Sequence, residues 1–323
     1  MIEFKNIENC LVCHKGGSKE KFKFLSKDTN WYSAMKCVNC GLVYGNPQPI
    51  LNSTSINEIY ASEYYDNYFG AEVSYQDKEV ASYYMECYKK EFAIYSKYTT
   101  KKESLKVLDV GCGDGKFLEI FRSNGWDCLG LEPSETSRKI AISKGFEVID
   151  LPFLEMPASN GLYDFIFLDN VIEHINEPNA FAEKAFGLLN NGGVFVTKTP
   201  NSDSLNEVLQ TIMLRVLPVF MSNGLMKFIK KTTGKGSGTV HRYGNLHPPV
   251  HLAIYNKDSI TTLLTQAGFK KENVHVFRIS PNHPDWSIPE KGSGFFFQLK
   301  KLFDKLSNSL DKGEFLITVA KKD

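Results

Sequence analysis

The most constraining feature of the sequence is a glycine-rich turn between an apolar run and a helical pattern, in residues 105–121 (LKVLDVGCGDGKFLEIF). The apolar run before the turn is rich in β-branched residues, which is typical of a buried parallel strand. After the turn, Phe117, Ile120 and Phe121 recur at helical spacing. The stretch therefore predicts a strand, a tight turn and a helix.

The residues of this turn indicate what kind of ligand it binds. Gly111, Gly113 and Gly115 allow positive φ angles and bring backbone N–H groups close to a ligand at the helix N-terminus. A dinucleotide-binding turn would have its third glycine one position later, where Lys116 stands, and the Asp109 carboxylate would repel a pyrophosphate. We therefore expect a cationic ligand without phosphate. S-adenosylmethionine, which carries an ammonium and a sulfonium, fits this description.

A second carboxylate follows at the distance expected for ribose binding. Glu132 ends the next predicted strand, about 20 residues after the glycine turn, where such folds place a ribose-binding acid. Its carboxylate can accept hydrogen bonds from both ribose hydroxyls. An ordinary strand-to-helix turn explains the glycines alone, but it does not explain two carboxylates at these positions.

Strand and helix patterns alternate through the rest of this region. We expect a helix over residues 134–144, strands over 146–149 and 163–168, and a helix that ends at residues 190–193 before a fifth strand over 194–199. A further helix is expected over residues 258–267, and the last two strands over 274–279 and 315–320. This alternation indicates an α/β fold with a doubly wound, mostly parallel sheet.

These segments resemble the class I S-adenosylmethionine-dependent methyltransferases. The matching pieces are VLDVGCGDG, LGLEPS, YDFIFLDNVIEHI and LLNNGGVFVTKTPN, roughly residues 105–201, with a looser match over 247–269. The resemblance implies a seven-stranded, Rossmann-like sheet that ends in a reversed hairpin. Residues expected to contact the cofactor lie at or just after the carboxyl ends of the strands: Asp109, Gly111, Gly113, Glu132, Pro133, Asp150, Leu151, Asp169 and Asn170.

The first 46 residues contain two C-x-x-C pairs, Cys10 with Cys13 and Cys37 with Cys40. The chain has 7 cysteines, an odd number for a disulfide framework, so in a reducing compartment the pairs favour metal binding. Two such pairs match a four-thiolate zinc site in which each short loop supplies two ligands. A zinc ion without an open coordination position would organise a small zinc-ribbon lobe and take no part in catalysis.

The sequence divides into three parts. We expect the zinc-binding lobe over residues 1–46, a tyrosine-rich helical linker or lid over 47–100, and a methyltransferase domain over 101–323 with a helical insertion at about 202–243. The tyrosines suit amphipathic helices packed on the next domain. In similar methyltransferases with a zinc lobe, however, this segment lies near the cofactor, which makes Tyr64 and Tyr65 candidates for cofactor contact. The insertion is expected to be a solvated helical cap, and contact with an anionic surface is the alternative.

Charge and hydropathy limit the partners. The formal net charge is +1, from 38 basic and 37 acidic residues, and does not indicate nucleic acid or a membrane. Apolar runs stay below the ~18 residues of a transmembrane helix, and the N-terminus lacks the apolar segment of a signal peptide, so we expect a cytoplasmic protein. Residues 295–306 predict a basic amphipathic helix, which core packing explains as well as peripheral membrane contact does.

The leading functional hypothesis is methyl transfer to a small molecule. The chain is similar to bacterial methyltransferases of surface-glycan and natural-product pathways, which implies O-methylation of a sugar, free or linked to a nucleotide or lipid. A sugar hydroxyl needs a base. His174 follows the fourth strand, and His247 and His251 flank two prolines; the resemblance places His251 beside the acceptor. The alternative role for each histidine is to orient its loop.

Two other functions are less consistent with the sequence. An RNA-modifying methyltransferase could grip nucleic acid with its zinc lobe, but this use requires a basic stripe, and acidic residues dilute the lysines around these cysteines. A non-catalytic scaffold is disfavoured by the full set of cofactor-binding acids.

Overall fold

The computed structural model describes residues 3–25, 30–50, 78–99, 104–157, 163–209, 245–280 and 295–323. The N-terminal strands are β1 (Phe4–Lys5), β2 (Lys19–Leu25), β3 (Trp31–Lys36), β4 (Val43–Asn46) and β5 (Gln48–Pro49). Strands β2, β3 and β4 form an antiparallel sheet, in which Tyr32 and Ala34 of β3 are buried while Trp31 is exposed. The far edge of this sheet is β11 (Ala253–Ile254), a strand from much later in the chain.

A second sheet contains seven strands in the described part of the chain. They are β6 (Lys106–Val110), β7 (Asp127–Leu131), β8 (Glu147–Ile149), β9 (Tyr163–Asp169), β10 (Leu189–Pro200), β12 (Val274–Ile279) and β13 (Phe315–Lys321). The strand order is β12-β13-β10-β9-β6-β7-β8. Strands β10 to β8 in this order are parallel, and β13 is antiparallel to both β10 and β12. The predicted doubly wound, seven-stranded, Rossmann-like fold with a reversed hairpin is confirmed.

Helices cover both faces of this sheet. They are α1 (Lys78–Tyr95), α2 (Lys116–Ser123), α3 (Glu135–Ser143), α4 (Pro178–Leu188), α5 (Lys257–Gln266) and α6 (Phe295–Ser309). On one face, α2 buries Phe121, whose ring stacks on Trp126 with centroids 5.5 Å apart. Because both faces are covered, the central strand β9 is a nearly continuous apolar run rather than an alternating pattern.

The start of β10 differs from the sequence-based expectation. Helix α4 ends at Leu188 and β10 begins at Leu189, so residues 190–193 lie inside the strand, whereas we expected them to end the helix. The pairing of β10 with β9 shifts register between Leu189 and Val194, and Gly192 has a φ of 75°. A bulge therefore accommodates these residues, and local sequence patterns do not distinguish such a bulge from a loop.

Two predicted segments fall largely outside the described residues. These are the tyrosine-rich segment before residue 78, with Tyr64 and Tyr65, and the predicted insertion at about 202–243, of which only residues up to 209 are described. Within α1, Tyr88 and Tyr95 are buried, and the ring of Tyr88 lies 4.7 Å from that of Phe117 in α2.

The described helices include none with the length and apolar composition needed to cross a membrane. In α6 and just after it, Leu302, Leu306 and Leu310 are exposed, whereas Asp304 and Ser307 face inward and are buried. Core packing therefore does not account for these three leucines.

Candidate active site

The glycine turn joins β6 to α2 at the carboxyl edge of the seven-stranded sheet. Gly111, Gly113 and Gly115 all have positive φ angles, of 73°, 55° and 84°. A Cβ on Gly111 would lie 2.6 Å from Val171, which is too close for any side chain. A Cβ on Gly113 would meet nothing within 4 Å. The turn is therefore fixed by packing at Gly111 and opens onto free space at Gly113, where a ligand can approach the backbone.

Two buried carboxylates border this turn. Asp109 and Glu132 are 2% and 7% exposed. Glu132 Oε2 accepts a hydrogen bond from the Gly113 backbone N–H at 2.8 Å, and its Oε1 accepts one from Ser134 N–H, also at 2.8 Å. These bonds tie the end of β7 to the glycine turn. Because each carboxylate oxygen has two lone pairs, Glu132 can still accept from ribose hydroxyls.

The electrostatics of this edge favour a cationic ligand. Burial, followed by the neighbouring carboxylates of Asp169 and Glu132, raises the pKa of Asp109 well above its usual range. Burial also raises the pKa of Glu132, although the backbone N–H groups of Ser134 and Gly113 oppose the rise. For Asp169, burial raises the pKa to about 6, while the Lys198 ammonium opposes the rise. A bound cation would stabilise the ionised acids.

An ion-pair network that sequence reasoning missed lies at the same edge. Lys198 of β10 is 3% exposed and its Nζ donates to both carboxylate oxygens of Glu91, at 2.9 and 3.0 Å. The same Nζ lies 3.6 Å from Asp169 Oδ1, and Tyr95 Oη donates to Glu91 Oε2 at 3.3 Å. The network ties α1 to the cofactor edge. Its signal in the sequence is a lysine inside the otherwise uncharged strand segment VFVTKTP.

Asp169 and Asn170, two further predicted cofactor residues, lie side by side at the end of β9. Asn170 has a left-handed backbone with a φ of 54°, and its Nδ2 donates to Asp169 Oδ1 at 2.9 Å. This pair lies at the carboxyl end of β9, beside the end of β6. Their roles as cofactor contacts stay predictions.

Pro133, Asp150 and Leu151 lie at the next two strand ends, where Arg138 of α3 connects them. Arg138 Nη1 donates to the Pro133 carbonyl at 3.1 Å, and its Nη2 pairs with Asp150 Oδ2 at 2.9 Å. Leu151 is partly buried against the core. Asp150 is therefore already paired with a cation, and its contact with the cofactor stays a prediction, as does that of Tyr65, which lies outside the described residues.

The three candidate histidines lie together. The rings of His174 and His251 are 4.6 Å apart and nearly perpendicular, and those of His247 and His251 are also 4.6 Å apart. His174 Nδ1 lies 2.9 Å from the Val250 carbonyl oxygen, and His251 Nδ1 lies 2.7 Å from the Asn245 carbonyl oxygen. Because a carbonyl only accepts, Nδ1 carries the proton in each of these bonds, so in neutral His251 Nε2 holds the lone pair, whereas the His174 ring also has the Asn170 carbonyl as a second partner.

Two acids that the sequence analysis did not select support this cluster. Glu173, directly before His174, is 1% exposed; its Oε2 accepts from Thr199 Oγ1 at 3.0 Å, and burial raises its pKa to about 8. Glu207 Oε1 accepts from both the backbone N–H and the Nδ2 of Asn245, at 2.9 and 3.0 Å. Glu207 therefore fixes the residue whose carbonyl orients His251.

The same cluster contains a possible metal-ligand set. One ligand atom each from Glu173, His174 and His251 lies within 4.8 Å of the others. A carboxylate and two imidazoles at this spacing suit zinc or iron. Burial lowers the pKa of His174 to about 4, so this ring is neutral at pH 7 and able to act as a base or as a ligand.

The four N-terminal cysteines come together as the spacing predicted. Their Sγ atoms all lie within 4.8 Å of one another, with Cys10 to Cys40 and Cys13 to Cys37 each at 3.5 Å. A disulfide would require about 2.05 Å, whereas four thiolates around zinc stand about 3.8 Å apart. The described geometry therefore fits a four-thiolate metal site.

Comparisons with known proteins agree with this architecture. A family model described as a methyltransferase domain matches residues 80–274. The ubiquinone biosynthesis O-methyltransferase of Bordetella avium is 30% identical over 124 residues, which cover 35% of this chain and 52% of the relative. The protein of the same name from Rhodopseudomonas palustris is 31% identical over 104 residues, covering 31% of this chain and 41% of the relative.

Among solved structures, an S-adenosylmethionine-dependent methyltransferase from Archaeoglobus fulgidus is similar, with 18% identity and a TM-score of 0.47. The match covers 74% of this chain and 94% of that one. The chain spans about half the length of the curated relatives that it matches. The family model, in contrast, covers more than half of the chain. The chain therefore belongs to the methyltransferase-domain family.

Proposed function

We propose that the protein transfers a methyl group from S-adenosylmethionine to an oxygen atom of a small molecule, a sugar or a related intermediate of surface-glycan biosynthesis. The observation that carries this proposal is the pair of buried carboxylates, Asp109 and Glu132, at a glycine turn that opens onto free space. The names of the two curated relatives support O-methylation as the reaction.

The residues of this edge fit the proposed cofactor. S-adenosylmethionine supplies a methyl group on a sulfonium, which is an activated leaving group. Asp109 would hold the cationic part of the cofactor by charge, and Glu132 would accept from the ribose hydroxyls while its bonds to Gly113 and Ser134 keep the turn in place. These contacts fix the position of the methyl group relative to the acceptor, which is the main requirement for this reaction.

The histidine cluster would handle the acceptor's proton. A sugar hydroxyl is a poor nucleophile at neutral pH, so a base must take its proton during transfer. The Nδ1–H of His251 is bonded to the Asn245 carbonyl, so its Nε2 would receive the proton. His174 and His247 lie beside the same ring and are the next candidates. The 3₁₀ turn that carries Glu173 and His174 begins three residues after Asp169, which supports a position of this cluster near the cofactor edge.

The test combines binding with turnover. Calorimetry should detect S-adenosylmethionine binding, and release of S-adenosylhomocysteine should be followed with nucleotide sugars, lipid-linked sugars, a polyprenyl catechol and tRNA as acceptors. We expect turnover with a sugar. With that acceptor, His251→Asn should lower kcat by about 10²–10⁴ and remove the acidic limb of the pH–rate profile, while cofactor affinity stays nearly constant. Near-normal turnover of His251→Asn would exclude His251 as the base, and methylation of tRNA alone would overturn the sugar proposal.

We further propose one structural zinc ion per chain on Cys10, Cys13, Cys37 and Cys40. The geometry of the four thiols supports this site, because all four are buried and converge without a fifth ligand among the described residues. Metal analysis of purified, reduced protein should find one zinc per chain. Reduced protein without stoichiometric metal would refute the site.

A further inference from the structure

The N-terminal lobe is defined here as residues 3–50, and the histidine turn as residues 247–252. The lobe shares a sheet with the strand that directly follows this turn. Strand β11 follows directly after this turn and pairs with β4 of the lobe, with Ala253 opposite Tyr44 and Ile254 opposite Val43. The Gly45 backbone N–H also donates to the Leu252 carbonyl at 3.0 Å. The backbone that carries His247 and His251 therefore continues into the edge strand of the lobe.

One buried side chain reinforces this junction. Gln48 is 0% exposed, and its Nε2 donates to the Gly45 carbonyl at 2.6 Å and to the Leu252 carbonyl at 3.1 Å. A single amide thus bridges the end of β4 and the last residue of the histidine turn. Close packing adds to it, because a Cβ on Gly45 would lie 2.6 Å from Pro248 Cγ. The lobe therefore contacts the turn at both its middle and its end.

The opposite side of the histidine turn contacts the 3₁₀ turn Ile172–His174, which follows β9. The Leu252 backbone N–H donates to the Glu173 carbonyl at 2.8 Å, and His174 Nδ1–H donates to the Val250 carbonyl at 2.9 Å. The turn is therefore held between the lobe on one side and the 3₁₀ turn Ile172–His174 on the other. Loss of the contacts from the lobe would therefore remove one of these two sets of contacts.

The thiols connect directly to the strand that makes these contacts. Cys37 and Cys40 lie on the turn just before β4, where Cys37 N–H donates to the Leu42 carbonyl at 2.9 Å and Gly41 N–H donates to the Cys37 carbonyl at 3.0 Å. The four cysteines also belong to one buried cluster with Leu42, Tyr44, Ala253 and Tyr255. The cysteine turn is therefore joined to β4 by backbone hydrogen bonds and shares its buried cluster.

We infer that the N-terminal lobe is the scaffold that positions the histidine turn, with Gln48 as the positioning residue. Metal binding to the four cysteines then controls the acceptor half of the site, which is the histidine turn. The cofactor half, which is the glycine turn, stays unchanged. The inference rests on the proposed function for the meaning of the two halves. Its structural content is a coupling between the cysteines and residues 247–254 that does not extend to the glycine turn.

The coupling is tested by hydrogen exchange of the full chain, with zinc bound and after chelation. We expect exchange to increase together in residues 43–48 and 247–254 when zinc is removed, while residues 107–111 and 129–132 stay protected and the affinity for S-adenosylhomocysteine changes less than about twofold. Loosening of residues 43–48 with unchanged protection of 247–254 would overturn the inference, and so would equal loosening of the glycine turn.

A second variant separates positioning from unfolding of the lobe. Gln48→Leu keeps the volume of the side chain and should retain bound zinc, but it removes the two hydrogen bonds, so we expect exchange in residues 247–254 to rise about tenfold. The nitrogen shifts of the His251 ring should also report loss of the single Nδ1–H tautomer. Ser33→Ala is the matched control, because its Oγ donates to Glu20 Oε2 between β2 and β3 of the lobe and contacts neither the thiols nor the histidine turn.

The outcomes distinguish the inference from the proposed function. Gln48→Leu with normal zinc content, normal exchange in residues 247–254 and an unchanged His251 tautomer would overturn the inference. None of these measurements needs an acceptor or turnover. Failure of the wild-type protein to bind S-adenosylmethionine would refute the proposed function, yet it would leave the coupling between the cysteines and the histidine turn intact.

Discussion

In the variant Asp109→Asn, the buried carboxyl beside the glycine turn becomes a neutral amide of almost the same shape. Because the folded protein raises the pKa of Asp109 above its unfolded value, folding takes up a proton there, and stability falls as pH rises from the usual aspartate range towards the raised pKa. The amide removes this penalty. At pH 8 we therefore expect the ligand-free variant to be more stable than the wild type, by about 1–3 kcal/mol.

The same change should weaken cofactor binding. Loss of a charge-assisted contact costs about 1.5–3 kcal/mol, so the affinity for S-adenosylmethionine should fall about 10- to 150-fold. A cofactor concentration of 100 times the wild-type Kd stabilises the wild type by about 2.7 kcal/mol, and at that concentration the variant should gain only about 0.3–1.4 kcal/mol. The variant should thus be more stable alone and respond less to cofactor.

Thermal unfolding with and without cofactor at pH 6 and pH 8, together with calorimetry, measures both effects. Asp127→Asn is the control, because Asp127 is an exposed carboxylate at the amino end of β7, away from the glycine turn. We expect it to change neither quantity by more than about 0.5 kcal/mol. A destabilised Asp109→Asn protein with wild-type cofactor affinity would refute the reasoning, since it would mean that the carboxylate serves the fold and not the ligand.

Three further outcomes follow from the same charges. Cofactor affinity should rise as pH increases through about 6, the pKa of Asp169, because a cationic ligand favours the ionised acid; the rise is up to about tenfold per pH unit for each proton released. Calorimetry in two buffers of different ionisation enthalpy measures the released proton. Affinity that does not change with pH would contradict this prediction. Lys198→Met should destabilise the protein by about 3–5 kcal/mol in urea unfolding, because it leaves Glu91 and Asp169 buried without their cation, and adding Glu91→Gln should recover part of the loss. Burial raises the pKa of Glu173 in the folded protein to about 8, so stability falls as pH rises from about 4.5 to 8. Glu173→Gln should therefore increase the free energy of unfolding by about 1–3 kcal/mol at pH 9 and leave it unchanged at pH 4. An increase that is independent of pH would refute this assignment.

Local patterns predicted the elements of the sheet, but they did not predict contacts between distant segments. The run from Leu105 to Phe121 carries its own strand, turn and helix signals, so its fold follows from periodicity and glycine positions. The pairing of β4 with β11 has no such signal, because two short strands far apart in sequence meet at one sheet edge. Periodicity within either segment is the same with or without that partner.

One half of the ion pair between Lys198 and Glu91 could have been predicted from the sequence. A lysine in the middle of an apolar parallel strand must be paired if it is buried, so Lys198 alone predicts an acidic partner. The identity of that partner could not be predicted, because α1 lies in the tyrosine-rich part of the sequence, where no periodic feature selects Glu91. Glu207 and Gln48 likewise act through backbone groups of distant residues, which leave no mark on local sequence.

Asp169 has a cationic partner within the protein, whereas Asp109 does not among the described residues. Asp169 has the Lys198 ammonium 3.6 Å away, and its pKa rises only to about 6. Asp109 has no cationic side chain within ion-pair distance among the described residues, and burial, together with the carboxylates of Asp169 and Glu132, raises its pKa well above the usual range. The unmatched carboxylate borders the open side of the glycine turn, so under the proposed function the cationic cofactor would supply the charge compensation that the described side chains do not provide.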